Sequence, residues 1–99
     1  MKKRPLTLEF VAGDFDSNYF DSTDCAITRA LKRAGFPHLR DIGTAIFQFY
    51  TNTTAYDVDI DGYDEMLQTV MAMYDPNNDS DIEPAAFTVT LQIPTTIIN

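Results

Sequence analysis

The sequence predicts an α+β fold, a two-layer sandwich in which a four-stranded, mostly antiparallel sheet carries two helices on one face, in the order β-α-β-β-α-β. Three observations predict it. Four segments alternate apolar and polar residues or are rich in β-formers. Two others repeat apolar residues at helical spacing. Gly, Pro, Asn and Asp collect between them. With two right-handed crossovers this is the ferredoxin-like arrangement.

The elements run in chain order. Residues 5–11 alternate, with Leu6, Leu8 and Phe10 on one face and Thr7 and Glu9 on the other, as a half-buried strand does. Residues 12–22, AGDFDSNYFDS, are a polar loop that Phe15, Tyr19 and Phe20 tuck against the body. A helix starts near Ser22, Thr23 or Asp24, each able to accept from the free N–H groups of a first turn. Its stripe is Ile27, Ala30, Leu31 and Ala34, and Gly35 with Pro37 stops it. Residues 42–51, IGTAIFQFYT, and 55–60, AYDVDI, read as two strands joined by a polar hairpin loop. The second helix covers about 63–74, with Met66, Leu67, Val70, Met71 and Tyr74 on its stripe and Asp61 as its cap. Residues 75–85 form an acidic loop, and Phe87, Val89, Leu91 and Ile93 mark a last strand that Pro94 ends. The reading is one domain over residues 1–99, with loose termini at 1–4 and 95–99.

Composition bounds the function. The 99 residues are 44% hydrophobic and include 7 Phe and 5 Tyr, enough for a core without staples. The single cysteine, Cys25, excludes an intrachain disulfide and fits a reducing compartment. The basic start, Met1-Lys2-Lys3-Arg4-Pro5, is followed by alternation instead of an apolar run. The expectation is therefore a cytoplasmic protein with no signal peptide and no membrane span. A net charge of −8 argues against direct nucleic-acid binding, which is driven by phosphate neutralisation. All 7 Lys and Arg lie in residues 1–40, whereas residues 41–99 hold ten carboxylates and no Lys or Arg. This asymmetry speaks to partners and not to fold.

Three pieces carry a family resemblance. They are the run Asp24-Cys25-Ala26-Ile27-Thr28-Arg29-Ala30-Leu31-Lys32-Arg33-Ala34-Gly35, the two strands after it, and Glu83-Pro84-Ala85-Ala86-Phe87-Thr88-Val89-Thr90-Leu91. Together, over about residues 22–92, they resemble small uncharacterised α+β proteins encoded by phages and prophages. Ala26 departs from the Pro expected after the Cys. The resemblance implies a mobile-element origin and no particular activity.

Candidate chemistry is sparse. Asp57-Val58-Asp59-Ile60-Asp61-Gly62 matches the first half of an EF-hand loop, which makes Asp57, Asp59 and Asp61 calcium candidates. The match then stops, because Gln68 stands where the bidentate Glu belongs and Asp64 where an apolar residue belongs. A strand that buries Val58 and Ile60 and turns at Asp61-Gly62 explains the same residues. Asp75 to Asp81 and Asp14 to Asn18 share the spacing without the Gly or the closing Glu. Cys25 at a helix start, with Arg29 four residues on, is placed for a lowered thiol pKa, but a small, semi-buried packing residue is the favoured reading. The only histidine, His38, lies past the other end of that helix, so no base reaches the thiol. One Cys and one His make no zinc site. The expectation is a non-enzyme with no catalytic residues and no cofactor.

The sheet's second face offers more. Ile46, Tyr50, Ile97 and Ile98 make a candidate apolar interface for a protein partner or for self-association. The resulting expectation is a non-enzymatic binding or assembly protein of a phage or mobile element. An acidic inhibitor that imitates nucleic acid is the alternative, and a calcium-stabilised module stands third.

Overall fold

A computed structural model describes residues 2–18, 20–43, 45–74 and 85–97. The elements are β1 (Lys3–Phe10), a 3-10 helix (Ala12–Asp16), α1 (Ala26–Arg33), β2 (Leu39–Asp41), β3 (Ile46–Tyr50), β4 (Ala55–Asp59), α2 (Tyr63–Tyr74) and β5 (Phe87–Pro94). The α+β class holds. The single four-stranded sheet does not form. The strands pair as two small antiparallel sheets, β1-β5 and β2-β3-β4.

Two local causes account for the difference. The predicted strand over 42–51 is broken near its start, where Gly43 (φ 80°) and Ala45 (φ 67°) take the left-handed conformation. The Asp41 carboxylate accepts from Gly43 N–H at 3.1 Å and fixes the turn. Residues 39–41 therefore form an extra strand, in register Leu39↔Phe49 and Asp41↔Phe47. The second cause is Pro94. Past β4, Asp61 and Gln92 exchange both backbone hydrogen bonds (3.0 and 3.1 Å), so β4 and β5 begin to pair antiparallel. The next β5 position to face β4 is Pro94, which has no N–H to give. Its carbonyl accepts instead from Ile97 N–H at 3.1 Å, and the chain turns away.

The termini differ from expectation too. β1 starts at Lys3, and Thr95 N–H donates to Lys2 O at 3.1 Å, extending the β1-β5 ladder. Ile97 is 4% exposed and belongs to the core. One apolar cluster joins both sheets and both helices, through Leu6, Leu8 and Phe10 of β1, Leu91 and Ile93 of β5, Phe47 and Val58 of the second sheet, and Ile27, Leu31, Met66 and Val70 of the helices. Within it Phe10 stacks on Phe87 at 4.6 Å, and Phe15 meets the edge of Tyr74 at 5.3 Å. Phe15 thus anchors its loop as expected, whereas Phe20 is 89% exposed and Tyr19 lies outside the described residues. Met71 of the predicted α2 stripe is exposed, and Tyr63 is buried in its place.

The ends of α1 show how the sequence writes a helix. Its N-cap is Cys25, whose Sγ accepts from Thr28 N–H at 3.4 Å, one to three residues past the predicted caps. Asp21 has drawn Thr23 into its own turn, and Asp24 pairs with Arg29. Tyr74 Oη accepts from Ala26 N–H at 2.6 Å and bonds Ser17 Oγ at 2.7 Å, so the end of α2 clamps the start of α1. At the other end Gly35 (φ 94°) donates to Lys32 O and Phe36 N–H to Leu31 O. Those two bonds complete a Schellman stop, and the expected glycine makes it.

α1 also bonds one outward backbone group on each of two strand edges. Arg33 donates to Glu9 O on the outer side of β1 and forms a bidentate pair with the buried Asp14. Asp14 accepts Val11 N–H as well. Thr28 Oγ1 accepts Asp41 N–H at 3.1 Å on the outer side of β2. Asp41 is 4% exposed, and its carboxylate also accepts from Tyr63 Oη–H at 2.8 Å. Burial raises its pKa above the ordinary carboxylate value, and these bonds offset part of that rise.

Both buried acids should register in stability. Asp14→Ala strips Arg33 and Val11 N–H of their acceptor and is expected to cost about 2–4 kcal/mol in urea unfolding. For Asp41 the folded pKa lies above the unfolded one, so folding favours the protonated acid. Stability present below the ordinary carboxylate range is lost as pH rises through the folded pKa. Asp41→Asn keeps an acceptor for Tyr63 and Gly43 and has no charge to bury. Its stability relative to wild type is expected to rise from pH 4 to pH 7 in urea titrations, and a flat difference would contradict this account.

Candidate binding cleft

The helix stop, the tail turn and the edge of β4 meet at one place. After Gly35 the chain buries Phe36, exposes Pro37 and His38, and enters β2 at Leu39. Across β3 and β4, Phe49 and Tyr56 are register partners whose rings stack at 4.9 Å, and His38 lies 6.0 Å from the Phe49 ring. The Pro94–Ile97 turn supplies the facing wall. Arg4 holds that wall by donating to Ile97 O at 2.6 Å, with its guanidinium 5.6 Å from the Phe36 ring centre. Arg4 Nε is buried without a partner among the described residues, which offsets part of this anchor.

The result is a cleft of about 470 Å³ lined by Phe36, His38, Leu39, Phe49, Tyr56 and Ile97. A second hollow of about 260 Å³ continues it along β4, past Asp57, Val58 and Asp59 to Pro94. The two share Tyr56, Thr96 and Ile97. Aromatic lining beside a few polar groups is the ordinary composition of a binding site. Tyr56 is 47% exposed, so its ring is presented to solvent over the cleft.

No protein-family model, curated protein or solved structure matches the chain. The surface is therefore read from its own residues.

The sequence-predicted candidates fall at several places. Asp57, Asp59 and Asp61 are all exposed on the outer side of β4 and its extension. Lys3 reaches Asp59 at 3.5 Å and Asp61 at 3.1 Å. The Asp61 hydrogen bond, ahead of the Asp59 charge, raises the Lys3 pKa above its ordinary value. The three acids do not converge, and among the described residues no group of His, Cys, Asp and Glu is arranged to hold a metal. Asp61 also does not cap α2, because its carboxylate turns to Lys3. Asp14 of the second calcium-like spacing is taken by Arg33, and Asp75 to Asp81 lie outside the described residues.

Among the described residues, the members of the expected apolar interface fall in different places. Ile97 is in the core, and Ile98 lies outside the described residues. Ile46 and Tyr50 are half-buried on an outer face that is mostly polar, where they pair with Asp59 and Ala55. The Arg40 guanidinium stacks over the Tyr50 ring at 4.4 Å and covers it. Ile97 still takes part in binding geometry, since it forms the wall of the cleft from inside.

The residues that sequence reasoning missed are Phe36, Phe49 and Tyr56. A signal for them was present. Asp57 and Asp59 alternate along a short strand, and such charges mark an edge. Pro94 likewise marks the end of pairing on the neighbouring strand.

Cys25 is 2% exposed, and its thiol pKa is raised, chiefly by burial, which outweighs the bonds from Thr28. Arg29 is engaged by Asp24 instead of the sulfur. The thiol is thus a buried cap, in line with the packing reading and not with a lowered pKa. Native protein is expected to react with a thiol-specific disulfide reagent about a hundredfold more slowly than the urea-unfolded chain. Equal rates would place the sulfur at the surface.

Proposed function

We propose that this chain is a non-enzymatic binding or assembly protein, working in the cytoplasm for a phage or mobile element, and that it holds its partner in the cleft between β4 and the Pro94–Ile97 turn. The observation that carries the reading is the aromatic cleft bordered by a strand edge. The remaining chemistry supports it. Cys25 is buried as a cap, His38 faces Phe49, and Asp14 and Asp41 are held in structural bonds. The mobile-element origin rests on the resemblance of residues 22–92.

The acidic-mimic reading gains less from the geometry. Asp14, Asp24, Asp59 and Asp61 are ion-paired within the chain and Asp41 is buried, so these five do not form a strip of free carboxylates. A calcium-stabilised module lacks a converging donor set among the described residues.

Site-directed photo-crosslinking in producing cells tests the proposal. A photoreactive phenylalanine at Tyr56 is expected to yield a discrete protein adduct. The same group at Glu65, on α2, is expected to yield none. Adducts of equal strength from both positions, or none from either, would remove the cleft as the binding surface.

A further inference from the structure

The edge of β4 adds a second recognition element to the cleft, one that has meaning only if the cleft is a binding surface. The direction of its backbone groups can be derived. Tyr50 N–H donates to His38 O at 2.9 Å, toward β2. Tyr50 and Ala55 are therefore a non-hydrogen-bonded pair, and the N–H and C=O of Ala55 point away from β3. By alternation those of Asp57 and Asp59 do the same. Asp61, next in this parity, confirms it by bonding Gln92 on that side. Among the described residues no hydrogen bond reaches the outward backbone of Ala55, Asp57 or Asp59.

Several outward groups on β1 and β2 are taken by the chain itself or have no donor to offer. On β1, Pro5 has no N–H to offer and Arg33 occupies Glu9 O. On β2, Leu39 N–H goes to Phe36 O and Asp41 N–H to Thr28 Oγ1. On β4 no such bond is made among the described residues; Pro94 faces the edge at Asp59, and from Ala55 to Asp57 the edge borders the aromatic cleft and its continuation.

We propose that the partner enters as an extended strand that adds to β4 along Ala55, Asp57 and Asp59, with apolar side chains turned into the cleft and a Lys or Arg side chain beside Asp57. An added strand shares the pleat of its neighbour, so its side chains alternate between the same two faces. On one face stand Tyr56 and Val58 with the aromatic cleft. On the other stand Asp57 and Asp59, both exposed, and Asp57 has no ion-pair partner among the described residues. Charge complementarity therefore selects a basic occupant. The same charges select against a second copy of this chain. Two β4 edges paired antiparallel about Asp57 would set Asp57 against Asp57, and like charges directly opposite destabilise a sheet.

The probe is a fluorescein-labelled heptapeptide of alternating lysine and valine, titrated into the protein by fluorescence anisotropy. Two controls accompany it: the same peptide with glutamate for lysine, and one N-methylated on the amides of one edge. Both are expected to bind at least tenfold more weakly, roughly the loss of two hydrogen bonds or of the charge match. Amide hydrogen exchange at Ala55, Asp57 and Asp59 is expected to slow on binding. Asp57→Asn isolates the charge. Asp57→Pro also removes the outward N–H while sparing the ladder to β3, and is expected to bind about fivefold more weakly than Asp57→Asn. Circular dichroism checks that both variants fold, and the exchange measurement on Asp57→Asn stands if the proline variant does not.

Equal binding of the N-methylated peptide, or of the glutamate peptide, overturns strand addition by a basic segment. Protection that appears on another edge does the same. A dimer in sedimentation with these three amides protected before any peptide is added assigns the edge to a second copy, which also overturns it. If the Tyr56 crosslink captures a partner while the lysine–valine peptide fails, strand addition alone falls and the cleft keeps its role. If both fail, the binding surface falls with it.

Discussion

Two backbone hydrogen bonds between Asp61 and Gln92 hold the two sheets in register, and the rest of the molecule is arranged around how short that contact is. Two residues earlier, at Asp59 of β4, the facing position is Pro94, and pairing stops. The gap is then walled by the Pro94–Ile97 turn, which Arg4 holds from β1. Ile97 fills the space from inside and Tyr56 overhangs it from β4. Had a residue with an N–H stood at 94, β4 and β5 would have been free to pair further, and the cleft would have closed into a continuous sheet.

α1 works against the opposite problem. The two strands at the far ends of the sheets, β1 and β2, both touch this helix, and Arg33 and Thr28 each bond an outward backbone group. Five residues apart on one short helix, they take one outward group on each outer edge. Arg29, Arg33 and Lys3 are engaged by Asp24, Asp14, Asp59 and Asp61, and Arg4 by a carbonyl. Among the described residues only Lys3, through Asp59 and Asp61, joins the basic part of the chain to the acidic part by ion pairs. The acid beside the cleft, Asp57, stands outside those pairs.

Local signals were the legible part. The stripe of α1, the Gly35 stop, the alternation of β1, β4 and β5 and the stop at Pro94 come from periodicity and backbone chemistry within a few residues. What could not be read depended on long-range partners. Nothing near Leu39 announces a three-residue strand, because that strand exists by pairing with Phe47 to Phe49. The tail was read as loose because its polarity says little, yet Ile97 is anchored by Arg4, 93 positions away in the chain. The cleft was missed for the same reason: Phe36, Phe49 and Tyr56 come from three separate segments.

The pairing of β1 with β5 has a consequence for how the chain reaches this state. Lys3 lies opposite Pro94 and Phe10 opposite Phe87, so the first and last strands complete each other. During synthesis Leu6, Leu8 and Phe10 wait for their pairing strand until residues 87–94 have left the ribosome. The β2-β3-β4 hairpins and α1 close over short sequence separations and can form before that. Closing the longest loop last is the slow step that such topology imposes. In that interval the apolar face of β1 is the surface most exposed to wrong partners, and Pro5, which removes a donor from its edge, protects the nascent chain as well as the finished one.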